Sequence, residues 1–199
     1  MGKGCFVNLL KAGPLHRRRL KKHFEKSGGK AVLGVHVFYR PVWPEFMPEN
    51  EGGREVYHRK VAKLFSIAEK NGAPIIFIED GGDVGRLKAR ISSAHPGLRA
   101  YYVESHLKVP APDMGKLAEH GRNDYEAFAE MLSNLGVRKM ALFGRRHVHA
   151  GKADFFGCIP EVRHGLDKTG VFENPVRLMY GLAHPDGAKH LEINRQRKR

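Results

Sequence analysis

Ala31-Val32-Leu33-Gly34-Val35-His36-Val37-Phe38-Tyr39 is dense in β-branched and aromatic residues and lacks strict alternation, the pattern of a strand covered on both faces. It predicts the first core strand. From Glu55 to Asn71 the apolar residues Tyr57, Val61, Leu64, Phe65 and Ala68 recur at helical spacing and stop at Gly72. Pro74-Ile75-Ile76-Phe77-Ile78-Glu79 then reads as a second short buried strand. A strand, a helix and a strand in that order cross over right-handedly and build a parallel sheet.

Later segments continue the alternation. Val84 to Ala94 predicts a short helix and Leu98 to Val103 an extended segment. Asn123 to Leu135 is a clear helix, with Tyr125, Phe128, Met131, Leu132 and Leu135 on one face and Gly136 at its end. Lys139 to Phe143 is a further buried strand, Lys152 to Lys168 is broken by Gly157 and Pro160, and Val176 to Leu182 supplies a last strand. Between Arg40 and Arg54, Pro41, Pro44 and Pro48 exclude regular structure, while Trp43, Phe46 and Met47 make the segment too apolar for a plain linker. It reads as a lid or as an interface loop, the latter compatible with a homo-oligomer.

The chain has 199 residues, enough for one domain with a sizeable core. Its two cysteines, Cys5 and Cys158, imply no disulfide framework and fit a reducing compartment. No apolar run is long enough to span a membrane, so no membrane association is expected. Phe6 to Leu10 is too short for the apolar core of a secretory signal, and the cytoplasm is the expected location.

Net charge is +14, and it sits at the ends. Residues 1–30 carry nine Lys/Arg against Glu25 alone, and residues 186–199 carry five against Asp186 and Glu192. The division expected is a basic helical extension over 1–30, an α/β domain over 31–185 and a basic tail over 186–199. Pro14 and Ser27-Gly28-Gly29 punctuate a helix whose thin apolar face, Leu15, Leu20 and Phe24, predicts a peripheral position. Two basic arms on a near-neutral body suit a polyanion, because each cation near a phosphate releases counterions. Arg17, Arg18, Arg19, Lys21, Lys22, Arg145, Arg146, Arg195, Arg197, Lys198 and Arg199 are the candidate contacts for RNA or a ribonucleoprotein.

Gly144-Arg145-Arg146-His147-Val148-His149-Ala150-Gly151-Lys152-Ala153 follows a strand, where a phosphate loop belongs. Its glycines are too far apart, and Ala153 lacks the magnesium-binding hydroxyl. Glu79-Asp80-Gly81-Gly82-Asp83-Val84-Gly85 lacks dinucleotide-site spacing and reads as a flexible turn. His147 and His149, even with Glu79 or Asp80, do not make a diagnostic ligand set, so neither a metal nor a cofactor is expected. A small-molecule ligand would gather at the carboxyl ends of the strands, near His36, Glu79, Asp80 and His147.

The order and texture of residues 31–144 resemble the isochorismatase-like cysteine hydrolases, a three-layer α/β/α family. The resemblance rests on Ala31 to Val37, on Ala68-Glu69-Lys70-Asn71-Gly72-Ala73-Pro74-Ile75-Ile76-Phe77, and on Arg122-Asn123-Asp124-Tyr125-Glu126-Ala127-Phe128 leading to Leu142-Phe143-Gly144. It implies a cysteine nucleophile activated by an aspartate that ends the first strand and assisted by a lysine. Here His36 occupies the aspartate position, Arg122 the lysine position and Ala150 the cysteine position; Cys158 comes eight residues late. Phe155, Phe156 and Ile159 flank Cys158 with apolar bulk, which predicts a buried, inert thiol. The leading expectation is a binding protein with altered or lost catalysis that contacts RNA through its ends. The alternative is a cysteine hydrolase of a small amide or related carbonyl compound, using His36, Arg122 and Cys158. The two separate on whether Cys158 reaches His36.

Overall fold

The computed structural model describes residues 4–38, 51–106, 111–118, 123–144, 158–173 and 176–183. In chain order these form β1 (Cys5–Asn8), α1 (Pro14–Lys26), β2 (Lys30–Val35), α2 (Glu51–Lys70), β3 (Pro74–Asp80) and α3 (Gly81–Ala94). Then follow β4 (Arg99–Ser105), a 3-10 turn at Gly115–Ala118, α4 (Asp124–Asn134), β5 (Lys139–Gly144), α5 (Cys158–Lys168) and β6 (Arg177–Ala183). All six strands lie in one sheet in the order β1-β4-β3-β2-β5-β6, and every pairing is parallel.

Successive strand residues point to opposite faces, so each face recruits its own helices. Leu33, Val35, Ile76, Ile78, Val103 and Leu142 pack with residues of α1, α4 and α5. Ile75, Phe77 and Phe143 pack on the other face with Tyr57, Val61 and Phe65 of α2 and Leu87 and Ile91 of α3. This is the expected three-layer α/β/α architecture. From β2 the chain builds β3 and β4 on one side, then returns to add β5 and β6 on the other. The carboxyl ends of β2 and β5 therefore mark the point where the winding reverses, the usual place for a ligand crevice.

Four sequence readings need correction. The irregular stretch expected from Arg40 to Arg54 ends sooner, because α2 already begins at Glu51. Residues 1–30 do not stand apart as an extension: β1 pairs with β4, from Cys5 opposite Arg99 to Asn8 opposite Tyr102. The thin stripe on α1 is enough to dock it, because Leu20 and Phe24 lie one turn apart and are each only 1% exposed. The glycine run after β3 is not a free turn. Asp80 caps α3 by accepting from the Gly82 amide at 2.9 Å, so Gly81, Gly82 and Gly85 become helical. Pro160 does not break the segment before Lys168, since it sits in the first turn of α5, where an amide has no helical partner anyway.

Among the described residues no helix is long and apolar enough to cross a membrane. Trp43, Phe46, Met47, His147, His149 and the 186–199 tail lie outside the described residues.

Candidate active site

Strand β2 stops at Val35 because the next residue turns out of the sheet: His36 has φ 45°, a left-handed conformation that few side chains adopt. Its surroundings hold it there. The His36 amide still donates to the Ile78 carbonyl at 3.0 Å. One residue on, the Val37 amide donates to Glu79 Oε2 at 3.2 Å, and the Val37 carbonyl accepts from the Tyr57 hydroxyl at 3.1 Å. Glu79 and Tyr57 thus fix the bend from the α2/α3 side of the sheet, which aims the imidazole to the opposite side. Gly144, at the end of the neighbouring strand, lets the Val35 backbone come close, because a Cβ there would run into the Val35 carbonyl oxygen.

On that opposite side the imidazole meets two groups. Its Nδ1 lies 3.3 Å from Cys158 Sγ, and its Nε2 lies 3.0 Å from Ser105 Oγ. Ser105 ends β4 with its side chain on the α1/α4/α5 face, two residues beyond Val103. Cys158 is the first residue of α5. The tautomer that pairs all three groups carries its proton on Nε2, donates to Ser105 Oγ and leaves the Nδ1 lone pair for the thiol proton. A sulfur that becomes negative also meets the positive end of the α5 dipole. His36 and Cys158 are 6% and 7% exposed, so the pair sits largely away from water.

A phenol and an acid lie on the thiol's side of the sheet, and a second acid lies on the other side. Burial, and then the negative charges of Glu161, Cys158 and Asp124, push the Tyr125 hydroxyl well above its ordinary value, so it remains a donor. That hydroxyl is buried and has no hydrogen-bond partner among the described residues. Its ring lies where a side chain on Gly165 of α5 would overlap it. Glu161, one turn beyond Cys158, is raised by burial. Beneath the bend, burial and the charge of Asp83 push Glu79 up to about 8, against the lowering effect of the Asp80 and Val37 amides.

The expectation for Cys158 is therefore met in part. The thiol is buried, but it is not isolated among apolar groups: the His36 ring is within reach. Arg122, Arg145, Arg146, Arg195, Arg197, Lys198 and Arg199 lie outside the described residues. Arg17, Arg18, Arg19, Lys21 and Lys22 are exposed on α1. Arg17, Arg18 and Lys21 line a groove of about 540 Å³ whose other wall is α4, with Leu117, Met131 and Leu135 on its floor. Sequence reasoning missed Ser105, whose only signal is a polar residue closing a buried strand, and Tyr125, which it placed in the core. No family model, curated protein or solved structure matches the chain.

Proposed function

We propose that the protein is a cysteine-dependent acyl-transfer enzyme that hydrolyses a small amide or a related carbonyl compound. The observation that carries this reading is the 3.3 Å approach of Cys158 Sγ to His36 Nδ1. A nucleophile within hydrogen-bond reach of a base, which is itself oriented by a third group, is the arrangement that activates a thiol. In the first step the thiol proton passes to Nδ1 and sulfur bonds to the carbonyl carbon, whose π pair moves to oxygen. Collapse of that adduct expels the amine or alcohol, which takes the proton from Nδ1. Water then adds to the thioester with its proton going to Nδ1; the carbon–sulfur bond breaks and sulfur recovers the proton. Tyr125 supplies a buried donor near this centre for the developing oxyanion.

The resemblance to the isochorismatase-like hydrolases supports the same chemistry. In this reading a longer connection after β5 delivers the thiol eight residues late, and an imidazole replaces the carboxylate as its base. Alkylation tests it directly. In a Cys5→Ser background, iodoacetamide should modify Cys158 at neutral pH at least tenfold faster than in the same protein carrying His36→Ala. Ser105→Ala should slow it about fivefold, the worth of one ordinary hydrogen bond. Equal rates in all three proteins would remove the His36–Cys158 pair from the mechanism.

A second reading, polyanion contact, is favoured by a separate observation: Arg17, Arg18 and Lys21 converge on one groove. It uses a different surface from the thiol and does not compete with it.

A further inference from the structure

The end of β4 gathers three ligand-type side chains that the thiol chemistry does not use. His106 follows β4, Asp113 precedes the 3-10 turn, and Asp124 opens α4. One ligand atom of each lies within 4.8 Å of those of the other two, and His106 Nε2 is 2.8 Å from Asp124 Oδ2. Donors sharing one ion at about 2.1 Å stand roughly 3.0–3.4 Å apart, so a closure of at most about 1.4–1.8 Å completes the set.

The backbone already holds these groups. Ser105 bridges Pro112, the His106 amide donates to the Ala111 carbonyl at 3.0 Å, and the Asp113 amide donates to the Glu104 carbonyl at 2.7 Å. Each carboxylate gives one oxygen to an amide, and the other oxygen of Asp124 faces the His106 ring. Asp124 Oδ1 accepts from Met114 at 2.9 Å, and Asp113 Oδ1 accepts from Gly115 at 3.0 Å. The Asp124 contact joins two separate elements and is the kind of outer support that orients a ligating carboxylate. Two carboxylates sit together beside the imidazole.

We propose that His106, Asp113 and Asp124 bind a divalent transition-metal cation of the zinc or manganese class. One imidazole and two carboxylates suit a borderline ion. They are too few oxygens for calcium, which takes six to eight. Three protein ligands also leave coordination positions open, as in sites that meet a substrate rather than purely structural ones. The proposal does not depend on Cys158 being a nucleophile.

The test uses the full chain, stripped with a chelator and titrated with zinc against a chromogenic competitor, with melting temperature followed in parallel. The expected result is one zinc bound per chain with a rise in melting temperature, and at least tenfold weaker binding in Asp113→Asn and His106→Ala. Asp113→Asn keeps an acceptor for the Gly115 amide, so its metal-free melting temperature should match the wild type and separate ligand loss from misfolding. Absence of stoichiometric binding, or wild-type affinity in both variants, would overturn the proposal. So would loss of the zinc in His36→Ala with retention in Asp113→Asn, which would place the ion at the thiol instead.

Discussion

Glu79 is wholly buried, accepts the Val37 amide through one oxygen and has no partner for the other among the described residues. Its shift from 4.5 to about 8 makes it a proton reservoir of the folded state. The folded protein holds this proton more tightly than the unfolded chain does. Its contribution to stability is therefore complete below about pH 4.5 and is lost as pH rises through about 8. Glu79→Gln keeps an acceptor for Val37 and cannot ionise. Urea melts across pH 5–9 should show a flatter profile for this variant and a gain on the order of a few kcal/mol at the alkaline end. Parallel profiles for the two proteins would mean that Glu79 ionises freely in the fold. The bend at His36 is held by the same contact, so the base depends on a residue from the far side of the sheet.

Helix α1 shows why an element can be misplaced from its sequence. Its polar residues outnumber its apolar ones, and Leu15 is 59% exposed, so the pattern suggests loose docking. Leu20 and Phe24 nonetheless fill the core beside Leu135 and Val137. Strand β1 was less legible still, because four residues carry no useful period and their partners, Arg99–Tyr102, are ninety residues away. By contrast, α2 and α4 were legible from apolar spacing, and β2, β3 and β5 from short apolar runs ended by turn residues. Removing residues 1–30 should therefore leave no folded domain, since it strips the edge partner of β4 and opens the core. Phe24→Ala alone should cost about 3–5 kcal/mol in chemical denaturation. A truncated chain that melted cooperatively at the wild-type temperature would restore the peripheral reading.

Across the whole molecule, the parallel sheet and its helical layers were implied by the alternation of strands and helices, whereas the strand order was not, and the site was only half visible. His36 could be placed at a strand end, whereas its distance to Cys158 depended on the course of α5, which spacing alone did not reveal. The charge distribution was read correctly as uneven, yet its N-terminal share belongs to a packed helix rather than to a free arm. If that surface binds a polyanion, single-stranded RNA affinity should fall with salt, and Arg18→Glu with Lys21→Glu should lower the slope by roughly 0.7 per lost phosphate contact. An unchanged slope would exclude the groove. The crossing back over β2 has one more consequence. The imidazole and the sulfur are 122 residues apart in the chain, so during synthesis at ~5–20 residues per second the ring is made roughly 6–24 s before the thiol. The growing polypeptide passes through that interval without the His36–Cys158 pair. The pair forms only when α5 has docked, and under the proposed function the appearance of fast alkylation at Cys158 would serve as a clock for completion of the fold.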